Sequence, residues 1–100
     1  MRRNQFVVSA ESVQGNAGAT VTFRAIKVRE MRAWREDPEQ NDETMLRDHV
    51  VAWAGFVGDN DQPLPSPADD PEVFGELLLH EQRALVTLLF QGPDLSLIHI

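Results

Sequence analysis

The chain has 100 residues, enough for one domain, and 42% of them are hydrophobic, as a globular core requires. Nine basic and sixteen acidic residues give a net charge of −7, which repels nucleic-acid phosphates and anionic membranes and argues against binding to either. The sequence contains no cysteine, which excludes disulfide bonds, thiolate metal sites and cysteine catalysis.

Residues 5–26 are predicted to form a β-hairpin. Phe6 and Val8 alternate with more polar neighbours in the first half, and Val21 and Phe23 do so in the second half. The segment between them, 14–18, is rich in residues that tolerate positive φ. A two-stranded hairpin is marginal alone, so its apolar face is expected to pack on the rest of the chain.

Two helices are predicted after the hairpin. The first covers residues 27–36 and ends at Asp37, because a residue that precedes proline is pushed out of the helical region. The second covers residues 43–57, because apolar residues recur there at helical spacing. Its stripe consists of Leu46, Val50, Trp53 and Val57. Val50 and Trp53 are therefore assigned to the core.

A loop over residues 59–70 is predicted to lead into further helix. Asp70, Pro71 and Glu72 form a helix start, with Asp as the N-cap and Pro at the first helical position. Leu77 on this helix is assigned to the core. A second helical stretch either continues from it or follows a break near residues 79–80, and Gly92 and Pro93 end it.

These elements predict an α+β fold, in which an N-terminal β-hairpin packs on a small bundle of three to four helices. We expect one domain over residues 1–94, with the hairpin in 5–26 and the helical part in 27–92. The last six residues, 95–100, match the translation of the mosaic-end adapter used in transposase-based DNA library preparation. We therefore expect residues 95–100 not to belong to the natural protein.

The sequence offers no convincing catalytic or metal-binding pattern. Residues 59–61 resemble the opening of a calcium loop, but Leu64 stands where glycine is needed and Asp70 where a bidentate Glu belongs. His80 is not part of an HExxH motif, because position 84 is Ala. His49 is expected to be partly exposed or to cap its helix. We expect no enzyme activity, no cofactor and no bound metal.

Three aromatic side chains are the candidate interaction residues. Tryptophan is enriched at interaction hot spots, and Trp34, near a helix end, is left open between core and interface. Phe74 and Phe90 exceed what a two-helix face needs to bury, so both are expected on the exposed flanks of the C-terminal helices.

Five segments between about residues 20 and 92 carry a resemblance to a known family. They read VTFRAIKVREM, LRDHVVAWAGF, GDNDQPLP, DDPEVFGEL and LHEQRAL. Together they resemble the tail assembly chaperones of long-tailed, siphovirus-type phages and prophages, in which a helix with a Val-x-x-Trp core precedes an acidic turn, a Leu-Pro step and another helix. Val50 and Trp53 fill the first element, residues 59–61 the turn, and Leu64 with Pro65 the step. Gln62 stands where that family's turn usually carries glycine.

The resemblance implies a protein that acts without chemistry in the cytoplasm of the bacterial host. Such a chaperone binds the tape measure protein, shields its apolar surface and helps to recruit the tail tube protein, with no part for nucleic acid or membrane. Some members of the family are also made in a longer, frameshifted form. The alternatives are a minor structural tail or connector protein of the virion, and a host regulator or antitoxin-like binding module. The oligomeric state does not follow from the sequence.

Overall fold

The computed structural model describes residues 4–39 and 41–92. Eight elements follow in order: β1 (Gln5–Ser9), α1 (Glu11–Gln14), β2 (Thr20–Arg24), α2 (Val28–Glu36), α3 (Asp42–His49), β3 (Val50–Ala54), a 3-10 helix (Pro71–Glu76) and α4 (Leu79–Gln91). The three strands form one antiparallel sheet, so the predicted α+β class is confirmed. The segment 95–100, interpreted as a translated adapter, lies outside the described residues.

The sheet has the order β1-β2-β3, with β2 in the centre. In the predicted hairpin, Phe6 lies opposite Phe23 and Val8 opposite Val21. Alternation places these four side chains on one face, and that face is the one that is buried. The connection between the two strands is longer than a simple turn, because it contains α1, whose Val13 also enters the core.

The helix predicted over residues 43–57 is wrong in its second half, which forms β3 instead. Helix α3 begins at Asp42, where the Asn41 side chain accepts the N–H of Thr44 at 2.9 Å, and it ends at His49. In β3, Val50 lies opposite Phe23 and Trp53 opposite Val21, with a register shift that leaves Val51 without a partner residue. This β-bulge adds one residue, so Val50 and Trp53, three apart, both face inward. The bulge thereby imitates the spacing of a helical stripe.

The core is one cluster between the sheet and the helices. Val21 and Phe23 from the central strand are fully buried, as are Leu46 of α3 and Leu85 of α4. The two residues assigned to the core within β3, Val50 and Trp53, are buried there, and Leu77 is partly buried against the cluster. The Trp53 ring stacks on Phe56, with the ring centres 4.4 Å apart. Val50 and Trp53 therefore lie in the core although their element is a strand and not the predicted helix, whereas Leu77 lies at the edge of the core.

The C-terminal part follows its sequence signals closely. The Asp70 carboxylate accepts the N–H of Glu72 at 3.1 Å, which confirms the predicted helix start, although the turn that follows is a 3-10 helix. Helix α4 is separate from it, and the Glu81 carboxylate accepts the N–H of Leu78 at the N-terminus of α4. Gly92, with φ of 75°, ends α4 as expected.

Candidate interaction surface

An apolar groove lies where the end of the hairpin meets α2 and the last turns of α4. It encloses about 340 Å³. The side chains and backbone that line this apolar groove belong to Phe6, Ala25, Ile26, Lys27, Val28, Met31, Leu89, Phe90 and Gly92. Lys27 is the one charged residue among them. A groove of this composition suits an apolar partner surface and offers little for polar chemistry.

Two exposed apolar side chains line the groove, one from α2 and one from α4. Val28, the first residue of α2, is 70% exposed, and Phe90, in the last turn of α4, is 39% exposed. No residue of α2 is fully buried, so this helix lies on the surface of the domain with part of its apolar stripe uncovered. An uncovered apolar patch beside a groove is typical of an interaction site.

Trp34 and Phe90 form an aromatic pair beside the groove. Their ring centres lie 5.8 Å apart at an angle of 57°. Trp34 is partly buried and packs against the core, and its Nε1 atom is buried without a hydrogen-bond partner among the described residues. Trp34, left open between core and interface, thus packs partly on the core and contacts the exposed Phe90.

Phe74 does not belong to this surface, and the expectation that it is exposed is wrong. Its ring is buried and meets Trp53 edge to face, with the ring centres 5.6 Å apart. The Arg47 guanidinium lies 5.8 Å from the centre of the Phe74 ring. The expectation considered only the two C-terminal helices as packing partners, whereas Phe74 packs on Trp53 of β3.

Helix α2 is held in place by an ion pair to the central strand. Arg24 of β2 donates to both carboxylate oxygens of Glu30 at 3.2 and 3.0 Å, and to the carbonyl oxygen of Asp48 at 3.3 and 3.2 Å. The Glu30 carboxylate also accepts the N–H of Lys27 at 2.9 Å. The Arg24 guanidinium is the main cause that lowers the pKa of Glu30 to about 2. This pairing fixes the start of α2, and with it Val28, relative to the sheet.

His49 lies behind the same ion pair. The expectation that His49 is partly exposed is wrong, because its side chain is buried. The alternative, that it caps its helix, agrees with a hydrogen bond from its ring to the last turn of α3. Its Nδ1 atom lies 2.9 Å from the carbonyl oxygen of Met45 and so carries the proton of that hydrogen bond. Its Nε2 atom lies 3.6 Å from Glu30, too far for a hydrogen bond. The ring of His49 is therefore held by a hydrogen bond within α3, and it lies close to Glu30 of α2 without bonding to it.

Sequence reasoning identified Phe90 and missed Val28 as exposed interaction residues. Val28 and Met31 occupy apolar helical positions together with Trp34, and such a stripe normally predicts burial. The composition of α2 is the signal that could have indicated their exposure. Charged residues make up most of this helix, so its apolar stripe is narrow and predicts little burial. Leu78 and Leu79, at the other end of α4, are also exposed, but they do not line the groove.

Residues 4–39 and 41–92 contain no group of three or more His, Asp or Glu side chains placed to hold a metal ion. Within the same residues, no helix is long and apolar enough to cross a membrane. Comparison of the chain with protein-family models, with curated proteins and with solved structures finds no match.

Proposed function

We propose that the protein is a phage tail assembly chaperone that binds the tape measure protein through its apolar groove, without catalysis. The observation that carries the proposal is the groove itself, with Val28 and Phe90 exposed along it. The family resemblance of residues 20–92 supplies the identity of the partner. The proposed place of action is the cytoplasm of the bacterial host.

The proposed partner, the tape measure protein, has an apolar face that stays uncovered until late in tail assembly. A long amphipathic helix exposes such a face until the tail tube encloses it. A groove about 340 Å³ in volume covers only a few side chains of that helix, so each copy of the chaperone binds weakly. We expect a Kd on the order of micromolar per copy, with avidity when several copies line one tape measure protein.

The charge beside the groove also selects the partner. Lys27 lines the groove, and Arg29 and Arg32 are exposed on α2. The chain as a whole carries −7, whereas α2 has a mixed face on which three arginines outnumber Glu30 and Glu36 by one charge. A tape measure helix with acidic residues flanking its apolar stripe is the best complement.

The test is co-expression of the protein with the tape measure protein of the same gene cluster. We expect the tape measure protein to become soluble and to be recovered in a complex. Val28→Asp should abolish this effect, because it places a charge on the apolar groove at a position exposed enough to leave the fold intact. Leu79→Asp is the matched control, since Leu79 is 61% exposed but lies outside the groove.

Two outcomes would count against the proposal. If the tape measure protein remains equally insoluble with and without the chain, and no complex is recovered, the chaperone function is wrong. Recovery of the protein in stoichiometric amounts from finished particles would instead establish the alternative, a minor tail or connector protein of the virion.

A further inference from the structure

A second concave site lies between α2 and the end of α3, and it shares no lining residue with the apolar groove. It encloses about 210 Å³. Three acidic residues line it: Glu30, Asp37 and Asp48. Arg24, which bonds Glu30, offsets one of these charges, and the described lining contains no lysine or arginine. This acidic pocket therefore carries an excess of negative charge.

His49 and Glu30 turn two hydrogen-bond acceptors toward each other at the acidic pocket. His49 lines the pocket and is 4% exposed. Its Nδ1–H donates to the Met45 carbonyl oxygen at 2.9 Å, so the Nε2 atom of the neutral ring carries a lone pair. Nε2 lies 3.6 Å from Oε2 of Glu30 and has no hydrogen-bond partner among the described residues. Because a buried acceptor without a donor costs free energy, this pair favours a ligand that donates to both atoms.

The charge and the walls of the acidic pocket suit a nitrogen cation. One nitrogen can lie within about 2.9 Å of both acceptors, since these are only 3.6 Å apart. The Arg24 hydrogen bonds lower the pKa of Glu30 to about 2, so its carboxylate is ionised at neutral pH. Trp34 supplies an aromatic wall, and aromatic faces attract cations. A neutral hydroxyl could also donate to Nε2, but it would leave the excess negative charge uncompensated.

We propose that the acidic pocket binds an ammonium or guanidinium group, which donates one N–H to Nε2 of His49 and others to the carboxylates of Glu30 and Asp48. Such a group belongs either to a lysine or arginine side chain of a partner or to a free amine, and both present the same chemistry. The groove and the pocket use different residues of α2, Val28 and Met31 on one side and Glu30 and Trp34 on the other. Failure of either proposal therefore leaves the other standing.

The test is an NMR titration of the ¹⁵N-labelled 100-residue chain with propylammonium chloride. The chain has two tryptophans and hence two indole N–H signals. We expect the Trp34 signal and the ring nitrogens of His49 to shift and saturate, with a Kd on the order of millimolar for so small a ligand. The Trp53 signal, from the core, should stay in place.

Two matched probes separate charge from other causes of a shift. Propanol has the same carbon stem without the charge, and magnesium chloride supplies a cation without N–H groups. Shifts of Trp34 and His49 that are equal with either probe would overturn the proposal. A His49 ring that is protonated on both nitrogens before any cation is added would overturn it as well, because Nε2 would then be a donor to Glu30.

Substitution of Asp48 tests the pocket without disturbing its frame. Asp48 is exposed, and Arg24 bonds its backbone carbonyl, which Asp48→Asn retains. We expect Asp48→Asn to weaken propylammonium binding about fivefold or more, as loss of one ion pair implies. Glu36→Gln is the matched control, because Glu36 is an exposed acid of α2 outside the pocket. Equal Kd values for the two variants would contradict the assignment.

A blocked pentapeptide with a central lysine identifies the source of the cation. It should bind, and its Nζ-acetylated form should not, because acetylation removes the charge. Binding about tenfold tighter than that of propylammonium would indicate the side chain of a protein partner, and equal affinity a free amine; either result supports the site. Equal binding of the acetylated peptide would refute it.

Discussion

Three donors converge on the Glu30 carboxylate: two nitrogens of Arg24 and the backbone N–H of Lys27. They hold the pKa of Glu30 at about 2, below its usual 4.5, chiefly through the Arg24 hydrogen bonds. The Arg24 pKa is raised by the same contact. One surface-proximal carboxylate therefore connects strand β2 to helix α2, and its charge is part of the stability of the fold.

Protonation of Glu30 should make this stability depend on pH. Because the pKa of the folded state is lowered, the contribution is fully present above about pH 4.5 and is lost as the pH falls through about 2. We expect Glu30→Gln to lower the free energy of unfolding at pH 7 by about 1–2 kcal/mol, allowing for partial exposure of the pair, and to flatten its decline between those pH values. Urea unfolding at a series of pH values measures this. Glu36→Gln, on the same helix, should run parallel to the unmodified chain, and a parallel profile for Glu30→Gln would contradict the assignment.

Trp53 is the residue with the largest expected effect on stability. Its ring is buried between the stacked Phe56 and the edge-on Phe74. Trp53→Ala should cost about 3–5 kcal/mol, a large part of the roughly 5–15 kcal/mol available to a domain. Chemical denaturation checks this, with Trp34→Ala as the comparison, since Trp34 is only partly buried. Equal losses for the two variants would mean that Trp53 is not the centre of the core.

At the scale of elements, local signals and long-range pairing differ in what they allow us to predict. The hairpin, α2, the Asp70 start and the Gly92 end all depend on neighbours in sequence, and each was predictable. β3 was not, because its strand conformation depends on pairing with β2, far away in sequence, and its bulge gives Val50 and Trp53 a helical spacing. Phe74 was misplaced for the same reason: its packing partner lies on the unpredicted strand.

Gly55 ends β3 in a conformation that a side chain resists. Its φ is 77°, and a Cβ atom there would lie 3.1 Å from the Ala19 Cα and 3.2 Å from the Gly18 carbonyl oxygen. We expect Gly55→Ala to destabilise the protein by at least about 1–2 kcal/mol, since both the left-handed backbone and the close approach oppose it. Gly75→Ala is the control, because Gly75 has open space and no positive φ. Thermal melting distinguishes them, and equal melting temperatures would show that the β3 turn is not constrained.

At the scale of the molecule, one core supports the apolar groove, which is built from the end of the hairpin and the outer faces of α2 and α4. Phe6 belongs to the core and also lines the groove. The sequence indicated only Phe90 and Trp34 at this surface, because the sides of the groove come from elements far apart in the chain, and no local pattern contains that information.

The direct junction between α3 and β3 has an evolutionary consequence. Helix α3 ends at His49 and the strand begins at Val50, with no residue between them to take up a change in chain length. One inserted or deleted residue would reverse the faces of the strand and turn Trp53 toward water. In the connection 55–70, Phe56 stacks on Trp53 and Ser66 accepts the N–H of Trp53, but the exposed loop 59–63 can lengthen or shorten at little cost. Descendants of this chain can therefore gain and lose residues in that loop, while the His49–Val50 step admits only substitutions.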